Sequence, residues 1–285
     1  MTQTITGAEL AARALIDRKI PYVFTLSGGH ITPIYQYLEG SEVKIFDTRH
    51  EQSAVFMAEA FGKLTRTAGV AMVTAGPGFT NALTGIASAH FSNTPLVFIA
   101  GCVGLNNREK MDLQDMPQKA VIVPMVKKAL VCEKAERVPE YVDLAFRIAQ
   151  SGRPGPVYLE FPIDVLNTPV DKTLVKYPRT DVVSAPADPV KARELIQMLK
   201  AAQRPVVIAG SGAWQSGAEN ELKTFIETAG LPLFTSLSGR GVVSDGHPLC
   251  FEGAVAVRPG SIRLTCPACQ QPCRIAGRPG WMPIT

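Results

Sequence analysis

"GVAMVTAGPGFTNALTGIASAHFSNTPLVFIAG", Gly69 to Gly101, reads as a strand, a turn, a helix and a second strand. "GVAMVT" is a continuous run of apolar and β-branched residues, the pattern of a strand buried on both faces. "AGPG" is a turn, and "FTNALTGIASAHF" is a helix. "PLVFIAG" (95–101) is a second continuous apolar run. Two buried strands joined by a helical crossover lie parallel in one sheet.

The alternation continues on both sides. "TGAELAARALIDRK" places Thr6 three residues ahead of Glu9, a capping-box pattern before a helical period. "YVFTL" (22–26) is a strand, and Thr32-Pro33 after "SGGH" is a helix entry with proline in the first turn. "VKIF" (43–46) is a strand and 50–65 a helix. Past residue 101 come a charged loop, a helix over 138–150 and the strand "GPVYLEFP" (155–162). The expected class is α/β, a parallel sheet with helices on both faces, over 1–165. Residues 166–187, rich in Pro, Thr and Asp, read as a linker. "VKARELIQMLKAAQ", "RPVVIAG", "SGAENELKTFIETAG" and "LPLFTSLSG" then open a second, incomplete Rossmann-like unit over 188–257. From Arg258 the periodicity stops, and 258–285 is expected to be an aberrant or disordered tail.

A chain of 285 residues with 46% apolar residues can hold about two packed domains. The net charge of +4 is spread thinly, with no basic run of nucleic-acid type before the tail. No stretch is apolar for the length of a membrane span. "MTQTITGAELAARAL" lacks the basic and apolar regions of a secretory signal, so the cytoplasm is the expected compartment. Cys102, Cys132 and Cys250 stand singly among apolar residues and are expected to be buried thiols. Cys266, Cys269 and Cys273 give C-x2-C-x3-C, which lacks a fourth zinc ligand, and no metal site is assigned.

Several residues that carry chemistry follow predicted strands. In an open α/β sheet, ligands sit beyond the carboxyl ends of the strands. His30 leaves a Gly-rich turn in "LSGGHITPIY"; Glu51 opens a helix in "DTRHEQSAVF"; Gly76, Pro77, Gly78 and Asn81 lie in "TAGPGFTN"; Gln114 lies in the loop "MDLQDMPQ". Glycines let a ligand approach the backbone, and free helix N–H groups attract anions. Either turn alone is equally a plain strand-to-helix connection. "AGSGAWQSG" (209–217) misses the dinucleotide-fingerprint spacing, so a nicotinamide dehydrogenase is disfavoured.

Together these motifs resemble the thiamine-diphosphate enzymes of the acetolactate synthase type, over about 1–257. The resemblance rests on Arg49-His50-Glu51, Ala54, Ala58, Ala60 and Gly62, followed by Gly76-Pro77-Gly78, Asn81 and Ala82. "SGRPGPVYLEFPIDV" (151–165) resembles the end of that family's pyrimidine-binding domain, and "RPVVIAGSGAW" the start of its central domain. The resemblance implies that Glu51 hydrogen-bonds N1′ of the cofactor's aminopyrimidine and so favours loss of the thiazolium C2 proton. The activated carbon then attacks a 2-keto acid or another acyl donor. It further implies that His30 and Gln114 handle a substrate hydroxyl or carbonyl proton. Histidine at position 30 is similar to the carboligase-lyases, such as benzaldehyde lyase and the 2-hydroxyacyl-CoA lyases. A buried histidine bonded to backbone is the alternative for His30. Arg153 matches an arginine that contacts FAD in acetolactate synthases, with a surface arginine in a turn as the alternative; FAD, ADP or neither is carried within the family.

The family's third domain holds Mg²⁺ and the cofactor diphosphate through Gly-Asp-Gly and a downstream Asn. This chain has no Gly-Asp-Gly, and its "SDGHP" (244–248) is not that motif. The expectation is a fragment: a frameshift near Arg258–Ser261, or else a genuine short protein with a disordered or zinc-linked tail. A homodimer or homotetramer of such a fragment would offer the pyrimidine half of the site, with weak cofactor binding and no turnover. The alternatives are a fragment of an acetolactate synthase catalytic subunit, which condenses pyruvate, and a non-catalytic dimerising module.

Overall fold

The computed structural model describes residues 4–183 and 186–251, and the backbone of 263–265 and 272–274. In chain order the elements are β1 (Thr4–Thr6), α1 (Gly7–Asp17), β2 (Tyr22–Leu26), α2 (Thr32–Leu38), β3 (Lys44–Asp47), α3 (Glu51–Thr65), β4 (Gly69–Val73) and α4 (Pro77–Ser92). There follow β5 (Leu96–Cys102), α5 (Gln118–Ile122), β6 (Lys128–Val131), α6 (Val138–Gln150), β7 (Pro156–Pro162), α7 (Ile163–Asn167) and β8 (Pro169–Asp171). The second unit holds α8 (Pro189–Ala201), β9 (Val207–Ala209), α9 (Ser211–Gln215), α10 (Glu219–Ala229), β10 (Leu233–Thr235) and β11 (Cys250–Phe251). Two three-residue strands, β12 (Arg263–Thr265) and β13 (Pro272–Arg274), pair antiparallel. Cys266, Cys269 and the greater part of the expected tail lie outside the described residues, as does the side chain of Cys273.

Two compact units form, Met1–Ser184 and Ala185–Thr285. The first is a six-stranded sheet in the order β3-β2-β4-β5-β7-β6, with every neighbouring pair parallel. The expected parallel sheet with helices on both faces is therefore present. Every residue of β4, β5 and β7 is buried, which is why those strands read as unbroken apolar runs. One core packs α1, α2 and α6 against one face of the sheet through residues such as Leu10, Ile34, Val97 and Phe146. The other packs α3 and α4 against the opposite face through Ala54, Ala58, Phe79 and Phe98. α3 and α4 approach closely because Gly85 meets Val55: a Cβ on Gly85 would lie 2.7 Å from that side chain.

Thr6 caps α1, accepting from the Glu9 N–H at 3.2 Å, but the Glu9 carboxylate turns to Arg13, so half of the capping box forms. β1 and β8 were not legible, each being three residues long; they pair antiparallel and tie the stretch after β7 back to the start of the chain. Thr180 N–H also donates to Asp143, which is paired with Arg18. β6, expected as charged loop, is the edge strand beside β7. Its charged Lys128 faces water while Leu130 is buried.

Candidate active site

Because the strands are parallel, the loops that follow them gather at one edge. α3 starts at Glu51 and not one residue earlier, because His50 is its N-cap and its ring Nδ1 accepts from the Gln52 N–H at 3.2 Å. That cap fixes Glu51 in the first helical turn, where an acidic side chain is favoured by the helix dipole. Glu51 is buried at 6% exposure, and its Oε2 accepts from Asn81 Nδ2 at 3.0 Å. Asn81 comes from α4, so the two packed helices hold the carboxylate between them. A Cβ on Gly78 would lie 3.3 Å from Glu51 Oε1 and 2.8 Å from Thr74 Cγ2. The second carboxylate oxygen therefore faces a turn with no side chain of its own.

Thr74, at the exit of β4, joins this group to the next. Its Oγ1 is 3.2 Å from His30 Nδ1, and a Cβ on Gly28 would lie 2.4 Å from Thr74 Cβ. His30 is half-buried and packs on the end of β5, where a Cβ on Gly101 would come within 2.4 Å of the His30 Cβ. Burial lowers the His30 pKa, and Asp112 and Gln114 beside the ring draw it partly back. Gly76 has φ +62 and ψ −113, and a Cβ there would lie 2.8 Å from Gln114 Cβ. Gln114 itself has φ +65, one of three non-glycine residues with positive φ in 109–114. His30, Glu51, the Gly76–Gly78 turn, Asn81 and Gln114 thus stand together at the edge where the strands end.

Arg153 does not join them. It sits in the turn before β7, at the amino edge of the sheet, and its guanidinium donates to Asn93 Oδ1 in the turn before β5. Sequence reading also missed a buried polar layer under the site. Gln118, 1% exposed, accepts from the Gly76 N–H at 2.8 Å and donates to the Gly101 carbonyl at 3.0 Å. Its amide nitrogen also reaches Tyr158 Oη at 3.0 Å and Glu160 Oε2 at 3.3 Å. Tyr158 donates to Glu160 Oε2 at 2.6 Å, and Arg108 donates to Glu160 Oε1 at 3.2 Å. Burial first, and then the Glu160 charge, push the Tyr158 and Cys102 pKa values up. The available signal was Glu160 itself, an acid inside the apolar run "GPVYLEFP", since a buried charge needs partners.

Residues 5–121 match the thiamine pyrophosphate enzyme N-terminal TPP binding domain, and residues 192–261 match the central domain of the same enzymes. The chain belongs to the thiamine pyrophosphate enzyme family. It is 34% identical over 254 residues to a probable acetolactate synthase large subunit of Methanococcus aeolicus, a match covering 86% of this chain and 42% of that one. It is 35% identical over 252 residues to the acetolactate synthase isozyme 3 large subunit of Escherichia coli K12, covering 86% and 44%. It is 32% identical over 278 residues to 2-hydroxyacyl-CoA lyase 2 of Danio rerio, covering 85% and 45%. The matched stretch spans less than half the length of each of these relatives.

Among the described residues no helix is long and apolar enough to cross a membrane, and no group of three His, Cys, Asp or Glu side chains could hold a metal ion. The residues present do fit an aminopyrimidine. A buried carboxylate has one oxygen fixed by Asn81 and the other turned to a glycine turn that a Cβ would fill.

Proposed function

We propose that this chain supplies the aminopyrimidine side of a thiamine diphosphate site in a C–C bond lyase or carboligase. Its substrates would be 2-keto acids, 2-hydroxy ketones or 2-hydroxyacyl-CoA. The observation that carries this is the Glu51 carboxylate between Asn81 and Gly78. When bound, thiamine diphosphate supplies a nucleophilic carbon that adds to a substrate carbonyl.

The chain's own residues would do four things. Glu51 would share a proton with the ring nitrogen N1′ through the oxygen that faces Gly78. Asn81 would hold the other oxygen, so that the proton lies on the cofactor side. Gly76 and Gly78 would let the ring approach the backbone. His30, neutral at pH 7 because burial lowers its pKa, would hold or accept a substrate hydroxyl proton together with Gln114.

In this proposal Mg²⁺ and the diphosphate are held by a domain other than the two matched, as the resemblance implies. FAD or ADP contact at Arg153 would be separate from this site, since Arg153 stands at the opposite edge of the sheet. Assembly as a homodimer or homotetramer through the first unit, and residence in the cytoplasm, belong to the same proposal.

The second proposal is the catalytic part of an acetolactate synthase, favoured by relatives of that name at 34–35% identity. Histidine at position 30 favours the lyase. Pyruvate condensation against cleavage of a 2-hydroxyacyl-CoA separates the two in a complete enzyme carrying this sequence.

For the chain itself, thiamine diphosphate is titrated into wild type and Glu51→Gln while backbone amides are followed by NMR. Shifts confined to the surroundings of Glu51, Gly78 and Asn81, and weakened at least tenfold by Glu51→Gln, are expected, since one charged hydrogen bond is worth about 1.5–3 kcal/mol. Shifts elsewhere in the chain, or binding indifferent to Glu51→Gln, would sink the assignment.

A further inference from the structure

Gln118 lies outside the residues that the site would offer to a cofactor or substrate, yet it touches the backbone beneath both halves. Gly76 shapes the turn against which Gln114 packs, and that turn runs into Gly78 beside Glu51. Gly101 is the floor on which His30 rests. The Gln118 amide bonds one backbone atom of each, the Gly76 N–H through Oε1 and the Gly101 C=O through Nε2.

The amide cannot flip. With the ends exchanged, Oε1 would face the Gly101 carbonyl and the Glu160 carboxylate, and the NH₂ would face the Gly76 N–H, so both contacts would become repulsive. Glu160 is fixed in turn by Tyr158 and Arg108. We infer that Gln118 is a positioning residue whose single buried amide sets the spacing between the Glu51 carboxylate and the His30–Gln114 pair. The functional meaning of that spacing rests on the roles proposed above for Glu51 and His30.

The test uses the 285-residue chain as wild type, Gln118→Met and Gln118→Glu. Amide exchange at Gly76, the ring resonances of His30 and thiamine diphosphate titration are read by NMR. Met conserves volume and removes both backbone contacts, together with those to Tyr158 and Glu160. It should speed Gly76 exchange at least tenfold and displace the His30 resonances, while exchange across β4 and β5 stays unchanged. Glu keeps an oxygen for the Gly76 N–H but turns the other on the Gly101 carbonyl and Glu160. It should keep Gly76 protected and still displace His30.

Unchanged Gly76 exchange in Gln118→Met, or unchanged His30 resonances in both variants, overturns the inference. So does faster exchange throughout the sheet in both variants, because Gln118 would then be a general core contact. Thiamine diphosphate shifts at Gly78 and Asn81 in wild type, weakened at least tenfold in Gln118→Met, support it. If wild type shows no such shifts while the Gly76 and His30 results hold, the proposed function fails and the positioning role stands.

Discussion

The turn at Gly76 and the turn at Gly210 are built from nearly the same letters, "TAGPG" and "IAGSG", and each joins a strand to a helix. Their surroundings differ. Gly76 needs a backbone conformation closed to L side chains, and a Cβ would strike Gln114. Gly210 has φ −110, and a Cβ there would meet one Ser236 hydroxyl at an ordinary 3.5 Å. Gly212 has open space around its missing Cβ. The first turn is backed by the buried amide of Gln118 and faces the Glu51 carboxylate. Among the described residues no buried acid faces the second. A glycine-rich strand-to-helix turn becomes a candidate site when something buried is aimed at it, and the letters alone do not carry that.

The sharpest way to break this contrast is Gly76→Ala. Strain at φ +62 together with the Gln114 clash should cost about 3 kcal/mol, read as a lower urea midpoint. Gly101→Ala should cost about 2 kcal/mol by overpacking against His30, and it should shift the His30 ring resonances. A smaller effect is pH dependence. The folded-state pKa of His30 lies below its ordinary 6.5, so the unfolded chain binds the proton more readily. Stability should rise with pH through the window below 6.5 and flatten above it, and His30→Gln should reduce that slope. Smallest of all, Gly212→Ala in α9 should be neutral or stabilising by up to about 1 kcal/mol, which thermal melting can check. A large loss there would erase the distinction between the two turns. Cys132 offers a control outside both: burial pushes its thiol up to about 12, so it should resist alkylation in the native chain.

The legible parts of the molecule were those written locally. Continuous apolar runs gave the parallel sheet, and glycine and proline spacing gave the turns. Glu51 could be found because it opens a helix after a strand, within a motif only a few residues long. What remained hidden depends on residues far apart in the chain. Thr74 and His30 are 44 positions apart, and Gln118 and Gly76 are 42 apart. No periodicity reports such pairs. Gln114 stood out in the loop "MDLQDMPQ", while Gln118, four residues later, holds the buried contacts. Three-residue strands such as β1 and β8 are too short to show a period, and so β8 read as linker. Arg153 matched a motif whose position in the fold sequence alone could not give.

β3 has a consequence for handling the molecule in solution. It closes one end of the six-stranded sheet, all four of its residues are exposed, and Ile45 and Phe46 are apolar. An open, apolar strand edge can template growth by a second chain. Lys44 and Asp47 flank the pair, and charges at such flanks hinder stacking. The apolar pair of β3 therefore stands between charged residues, and loss of those charges, more than loss of any core contact, would turn this end of the sheet towards association with a second copy.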